Sequence, residues 1–123
     1  AGFDKGYYVE PTVFVDVDAH MKIAQEEIFG PVVSIISYSD EEDAVRKANN
    51  SDYGLNASVY AADPERGYAI ARRIRSGNVT VNGMIVDPKQ PFGGFKQSGL
   101  GREGGLEGIH EYLDTKYTLT PMS

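Results

Sequence analysis

Residues 56–82 read NASVYAADPERGYAIARRIRSGNVTVN, and this stretch decides the fold class of the chain. Asp63, Pro64 and Glu65 predict the start of a helix, because an acidic N-cap, a proline in the first turn and a second acid all favour one. Small and apolar residues then recur at helical spacing along one stripe: Gly67, Ile70, Ala71 and Ile74. Alternating polar and apolar residues on both sides predict strands, and Gly77 is expected to end the helix.

The same order of elements extends over the rest of the chain. Strands are predicted at 12–17, 32–38, 56–60, 78–82 and 114–120, and helices at 20–26, 40–49, 63–76 and 106–113. Residues 32–38, VVSIISY, are mostly apolar and are expected to be buried on both faces. Ser39 and Glu42 form a capping-box pattern before the helix at 40–49. This order predicts an α/β fold, a parallel βαβαβ sheet with helices on its faces and right-handed crossovers.

Residues 83–105 contain seven glycines and two prolines and predict a long, irregular loop. A loop of this length inside a compact domain is usually functional or disordered. Within it GLGREG at 99–104 matches the pattern G-x-G-x-x-G. That dinucleotide fingerprint needs a buried strand before it and a second strand ending in an acid after it, and neither is predicted here. We therefore expect these glycines to allow close backbone packing in a compact loop.

Composition limits the classes of function. The chain has 123 residues, which corresponds to roughly one domain, and 41% of them are hydrophobic. Its net charge of −6 argues against nucleic acid or an anionic membrane as a partner, since both require basic patches. No apolar run approaches the ~18 residues of a membrane span. No secretory signal is visible, and we expect a cytoplasmic protein.

The chain contains no cysteine, so disulfides, thiolate metal sites and a cysteine nucleophile are excluded within these residues. His20 and His110 are far apart and have no acidic or hydroxyl partners at motif spacing. We expect both at the surface, and we predict neither an acyl-transfer triad nor a metal site in this chain.

Residues 25–31, QEEIFGP, predict a rigid corner that carries an acid and a ring. Gly30 permits unusual backbone angles and Pro31 restricts its own φ, so the chain should turn sharply there. An ionised carboxylate only accepts hydrogen bonds and therefore suits a pair of sugar hydroxyls, while a ring suits the face of a flat heterocycle. The corner could hold the ribose and base of a nucleotide cofactor. The alternative is a charged helix end followed by a buried Phe29.

Three further segments carry a resemblance to a known family. They are GYYVEPTVF at 6–14, VTVNG at 79–83 and PFGGFKQSGLGREGG at 91–105. Together with QEEIFGP, in this order and at these separations, they make the chain resemble the C-terminal part of an NAD(P)-dependent aldehyde dehydrogenase over essentially all of its residues.

The resemblance implies a fragment of a longer enzyme that oxidises an aldehyde to a carboxylic acid with NAD or NADP. In the family a cysteine attacks the aldehyde, hydride passes to the nicotinamide, and a glutamate base activates the water that hydrolyses the resulting thioester. Both residues precede QEEIFGP in the family, so this chain is predicted to be inactive alone. The implied layout is part of the catalytic domain at 1–113 and a strand of the oligomerisation arm at 114–123, with the parent a dimer or tetramer.

The resemblance also implies roles for individual residues. Glu27 matches the acid that binds the nicotinamide ribose and Phe29 the aromatic that packs beside the nicotinamide; we call this pair the ribose clamp. Asn82 matches a residue near the reacting cysteine. The aldehyde tunnel is matched by Ile85, Val86 and Phe92, for which ordinary core packing is the alternative. Glu103 matches an acid of a charge relay in betaine-aldehyde-type members, and a structural ion pair of Arg102 or Glu103 is the alternative there.

Two other functions stay open at this point. The chain could be a non-catalytic folded module that acts in subunit association through an exposed sheet edge. It could also belong to a CoA-acylating semialdehyde dehydrogenase of the same superfamily, because the residues that decide between hydrolysis and acylation are not in these 123.

Overall fold

The structure is a computed structural model that describes residues 5–85 and 87–121. The chain divides into two compact units, Ala1–Asp52 and Tyr53–Ser123. In each unit a helix connects two short parallel strands, so the predicted α/β class is present in both.

The first unit contains β1 (Thr12–Phe14), α1 (Lys22–Gln25), β2 (Val32–Ser34) and α2 (Glu41–Asn49). β1 and β2 pair in parallel, with Thr12 opposite Val32. The core is small and consists of Val17, Ala19 and Val45, each less than a tenth exposed. The predicted helices at 20–26 and 40–49 are confirmed as α1 and α2, and the cap that begins α2 is local in sequence.

The cap of α2 lies one residue later than the capping-box pattern predicted. Asp40 is the N-cap, and its side chain accepts a hydrogen bond from the Asp43 backbone N–H at 2.8 Å. Asp43 reaches back and accepts from the Ser39 backbone N–H at 3.0 Å. Asp40 and Asp43 accept hydrogen bonds from backbone N–H groups at the helix N-terminus, as Ser39 and Glu42 would have done. Their negative charges also suit the positive end of the helix dipole.

Asp43 also binds two cations on the next turn of α2. Lys47 Nζ lies 2.8 Å from Asp43 Oδ2, and Arg46 pairs with Oδ1. The hydrogen bond from Lys47 first, and then that from Ser39, lower the pKa of Asp43 from its ordinary value of 3.8 to about 2. Both favour the charged form of the carboxylate over the neutral form.

The second unit contains β3 (Tyr53–Gly54), β4 (Asn56–Val59), α3 (Pro64–Ala71), β5 (Asn78–Val81), β6 (Phe95–Lys96) and α4 (Gly105–His110). β4 and β5 pair in parallel, with Asn56 opposite Asn78. α3 starts as predicted, with Asp63 accepting from the Glu65 N–H at 3.0 Å. It ends at Ala71, earlier than the predicted stop at Gly77. The strand–helix–strand unit at 56–82 is confirmed.

The long loop is more ordered than its composition predicted. β3 and β6 form an antiparallel pair, and Phe92 and Glu103 exchange two backbone hydrogen bonds of 2.7 and 2.8 Å. A Cβ on Gly93 would lie 2.5 Å from the Gly101 carbonyl oxygen, so only glycine permits this approach of the two backbones. Within GLGREG a Cβ on Gly104 would lie 2.7 Å from the Gln90 carbonyl oxygen, so the expected close packing is confirmed at Gly104, whereas a Cβ on Gly99 would meet no atom within 4 Å.

Three predictions about the sheet are wrong for the described residues. The strands form three two-stranded sheets, β1–β2, β3–β6 and β4–β5, in place of one βαβαβ sheet. Residues 32–38 are not buried on both faces, since Val33 is 56% exposed. Residues 114–120 form no strand and are exposed. The ladders that do form are only two to four residues long.

Candidate functional site

The ribose clamp lies on an exposed segment between α1 and β2, the arch at residues 26–30. α1 ends where the Glu26 N–H donates to the Lys22 carbonyl at 2.9 Å. At the other end the Gly30 N–H donates to Ile28 O and the Val32 N–H to Gly30 O, both at 2.8 Å. These two tight turns confirm the sharp corner at Gly30-Pro31.

Glu27 and Phe29 both project into solvent. Phe29 is 93% exposed, so the alternative of a buried ring after a charged helix end is wrong. Glu27 is exposed as well, and neither side chain has a hydrogen-bond or ring partner among the described residues. The oxygens of the carboxylate are thus available to accept from two hydroxyls, and the ring face is available for stacking.

Two of the three predicted tunnel residues come together in the second unit. Ile85 and Phe92 line a cavity of about 350 Å³ beside β5, with Val79 and Pro91 adding apolar surface. Ile85 is 72% exposed, so core packing does not account for it. Val86 lies outside the described residues. The apolar lining suits the hydrocarbon part of an aldehyde.

Asn82 does not line this cavity but supports the strands beside it. Its Oδ1 accepts from the Ala61 N–H at 2.8 Å, and its Nδ2 donates to the Ala61 carbonyl at 2.9 Å. Its own N–H donates to Val59 O at 2.8 Å, so the residue continues the β4–β5 pair by one step. Its φ is +53°, a conformation that asparagine tolerates better than most residues. We call these contacts the Asn82 clasp.

Glu103 is exposed and lines a second cavity of about 400 Å³, together with Arg102, Ser98 and Glu111. The alternative of a structural ion pair is wrong for the described part of the chain, where neither Arg102 nor Glu103 forms one. Arg102 instead donates to the Gly94 and Gly101 carbonyls at 3.1 and 2.6 Å. Its guanidinium also lies 5.4 Å from the centre of the Phe95 ring. Arg102 therefore stabilises the loop, and the Glu103 carboxylate remains accessible.

Sequence reasoning missed one residue next to the clamp. Gln25 Nε2 donates to the Ala19 carbonyl at 2.5 Å and to the Asn50 carbonyl at 2.8 Å. The partners are 6 and 25 residues away and are backbone atoms, so no pattern of residue types marks them. We call these contacts the Gln25 latch.

Other classes of site find no support in residues 5–85 and 87–121. No group of three or more His, Asp or Glu there could hold a metal ion, and no helix there is long and apolar enough to cross a bilayer. His20 and His110 are both exposed, as expected.

Comparison with known proteins gives one consistent result. The family model described as the aldehyde dehydrogenase family matches residues 1–118. The betaine aldehyde dehydrogenase of Brucella anthropi is 45% identical over 122 residues, which cover 98% of this chain and 25% of that protein.

Solved structures agree. The Mycobacterium tuberculosis aldehyde dehydrogenase complexed with NAD+ has a TM-score of 0.87 and 49% identity, covering 96% of this chain and 26% of the other. A mutant of Pseudomonas syringae aldehyde dehydrogenase C complexed with NAD+ and octanal has a TM-score of 0.89 and 50% identity, covering 94% and 24%. The chain thus spans about a quarter of the length of these relatives.

Proposed function

The chain belongs to the aldehyde dehydrogenase family, and from that premise we propose that it is the C-terminal part of an enzyme that oxidises an aldehyde to a carboxylic acid. The redox cofactor is NAD or NADP, and the NAD+ complexes of the two structural relatives support NAD. The observation that carries the proposal is the arch at 26–30, which presents an unpartnered carboxylate and an exposed ring.

Within that enzyme Glu27 and Phe29 hold the cofactor. The Glu27 carboxylate accepts hydrogen bonds from the two hydroxyls of the nicotinamide ribose, and a charged acceptor makes these bonds stronger than neutral ones. The Phe29 ring packs beside the nicotinamide and keeps water from that side. When bound, the nicotinamide supplies the hydride acceptor of the oxidation.

The cavity beside β5 forms one part of the aldehyde tunnel. Ile85 and Phe92 contribute apolar walls, and Asn82 holds the chain that leads to Ile85. Binding of octanal by the Pseudomonas syringae relative supports an apolar tunnel. Glu103, exposed on the second cavity, is proposed as the charge-relay acid.

The rest of the enzyme supplies the chemistry and covers the apolar surface. These 123 residues contain no cysteine, so the nucleophile lies elsewhere. Among the described residues 26 large apolar or aromatic side chains are exposed, and only Val17, Ala19 and Val45 are buried apolar residues. So many exposed apolar groups are typical of a surface that packs against a further part of the protein.

Activity measurement of the chain alone and of the full-length enzyme tests the proposal. The purified 123-residue chain should give no NADH above a protein-free control with aldehyde and NAD+. The full-length enzyme that contains it should turn over, and Glu27→Gln should raise its KM for NAD+. Turnover by the chain alone, or a full-length enzyme that oxidises aldehydes with neither NAD+ nor NADP+, would contradict the assignment.

A second candidate, subunit association, is favoured by the C-terminal segment. Tyr117 and Leu119 are 81% and 74% exposed in residues 114–120, which form no strand here. We propose that residues 114–123 add a strand to the sheet of a neighbouring subunit in a cytoplasmic oligomer. Light scattering at several concentrations tests this: a full-length enzyme that stays monomeric throughout would speak against it.

A further inference from the structure

Local interactions do little to hold α1 in place. The helix spans four residues, Lys22–Gln25, whereas an isolated helix needs roughly 12 residues to be marginally stable. Its N-cap, Met21, makes no side-chain hydrogen bond, and no residue of the helix is buried. The Lys22–Glu26 ion pair is at the surface, where such pairs contribute little. The position of α1 must therefore come from a tertiary contact.

The Gln25 latch supplies that contact. An amide nitrogen carries two hydrogens, and Gln25 Nε2 uses one for Ala19 O and one for Asn50 O. Ala19 precedes α1 and is buried, and Asn50 caps the C-terminal end of α2. One side chain thus connects the end of α1 with two other segments of the first unit.

The arch at 26–30 begins directly after this latch. Its far end is joined to β1 through the Thr12 N–H, which donates to Pro31 O at 2.9 Å, and continues into the β1–β2 ladder. Its near end leaves α1 in an extended conformation at Glu26, with φ −106° and ψ 146°. Backbone pairing therefore holds one end of the arch, and the Gln25 side chain holds the other.

We propose that Gln25 is a positioning residue for the ribose clamp: its amide fixes the start of the arch and so the place from which Glu27 and Phe29 meet the cofactor. This inference rests on the proposed function of those two residues. Both amide hydrogens of Gln25 are used on backbone carbonyls, so we assign Gln25 a role in positioning the arch and no donor bond to the cofactor. Its loss should weaken cofactor binding while leaving the aldehyde site intact.

Three variants of the full-length enzyme test the latch. Gln25→Met keeps the length and flexibility of the side chain but has no donor, whereas Gln25→Lys offers three N–H donors and can remake both bonds. Lys22→Ala is the matched control, because it removes the surface ion pair of the same helix. NAD+ itself is the probe, with its Kd measured by calorimetry and the KM values for NAD+ and aldehyde measured separately.

Loss of two neutral hydrogen bonds predicts a roughly 5- to 30-fold rise in the Kd for NAD+ in Gln25→Met. The KM for aldehyde should stay within about twofold, Gln25→Lys should recover most of the affinity, and Lys22→Ala should match the wild type. Hydrogen exchange gives a readout independent of activity: the Glu26 amide should exchange faster in Gln25→Met alone.

The outcomes separate this inference from the proposed function. If Glu27→Gln weakens NAD+ binding but Gln25→Met does not, the latch has no positioning role and the clamp stands. If Glu27→Gln has no effect, the clamp fails, and the inference about Gln25 fails with it. If Gln25→Met lowers the melting temperature and raises both KM values equally, Gln25 acts only on stability and the proposal is wrong.

Discussion

Replacing Asn82 should destabilise the second unit. Two different substitutions distinguish the contribution of the Asn82 side-chain hydrogen bonds from that of its backbone conformation. The clasp consists of two bonds between its amide and the Ala61 backbone, at 2.8 and 2.9 Å, made by a residue with φ +53°. Asn82→Gly removes both bonds but tolerates the positive φ. Asn82→Ala removes the bonds and also places a Cβ in the left-handed region.

The magnitudes follow from these two contributions. Each hydrogen bond contributes a net ~0.5–1.5 kcal/mol, and the lower half applies here because Asn82 is exposed and water can replace its amide. We therefore expect Asn82→Gly to lower the free energy of unfolding by about 1–2 kcal/mol. Asn82→Ala should lower the free energy of unfolding by roughly 1 kcal/mol more, since the left-handed conformation is unfavourable for alanine but not for glycine.

Urea denaturation of the wild type and the two variants, followed by circular dichroism, measures both the hydrogen-bond contribution and the backbone contribution to the free energy of unfolding. Asn82→Asp is the matched control, because it keeps the acceptor for the Ala61 N–H and loses only the donor. It should fall between the wild type and Asn82→Gly. Equal stability of the Gly and Ala variants would show that the positive φ carries no cost, and a wild-type-like Asn82→Gly would refute the clasp altogether.

Three further predictions concern the cap, the clamp and the loop. The pKa of Asp43 is lower in the folded state, so the contribution of its carboxylate to stability is complete above about pH 4 and is lost as the pH falls toward 2. The urea midpoints measured at pH 5 and pH 2.5 should therefore differ less in Asp43→Asn than in the wild type. Equal differences in the two proteins would contradict this prediction. Glu27→Gln keeps the shape of the side chain but removes its charge and should raise the Kd for NAD+ roughly tenfold in a calorimetric titration, with Glu26→Gln as the comparison. Gly77→Ala should lower the free energy of unfolding by about 1–3 kcal/mol, because the new Cβ would meet the Gly93 carbonyl oxygen. Gly30→Ala is the control, since no atom lies within 4 Å of a Cβ at Gly30. A Gly30→Ala variant as unstable as Gly77→Ala would refute this reasoning.

The parts of the fold that could be predicted rest on contacts between near neighbours in sequence. The helix start at Asp63-Pro64-Glu65 is one case, since the capping side chain of Asp63 accepts from a backbone N–H only two residues away. The corner at Gly30-Pro31 is another, formed by hydrogen bonds between residues two apart. The apolar stripe of α3 also appears in the residue pattern, and it brings Gly67 against Val81 of β5.

The predictions that failed concern what packs against each element. VVSIISY has the composition of a strand buried on both faces, yet burial also requires a second layer, and the first unit provides none among the described residues. The segment at 114–120 has a strand-like alternation but pairs with no strand among residues 5–85 and 87–121. The predicted helix cap at Ser39 also failed, because Asp40 offers an equally good acceptor one position later and is the N-cap in the structure.

The residues of QEEIFGP determine, without any structure, that an acid and a ring stand two positions apart before a sharp turn, because that depends only on covalent geometry and local backbone preference. The strand–helix–strand order at 56–82 is determined in the same way. Tertiary structure alone decided that Phe29 faces solvent, that Gln25 joins Ala19 to Asn50, and that Asn82 binds Ala61. These contacts join residues up to 25 positions apart, and such pairs meet only after the chain has closed the loops between them, which is a property of the whole fold and not of any short pattern.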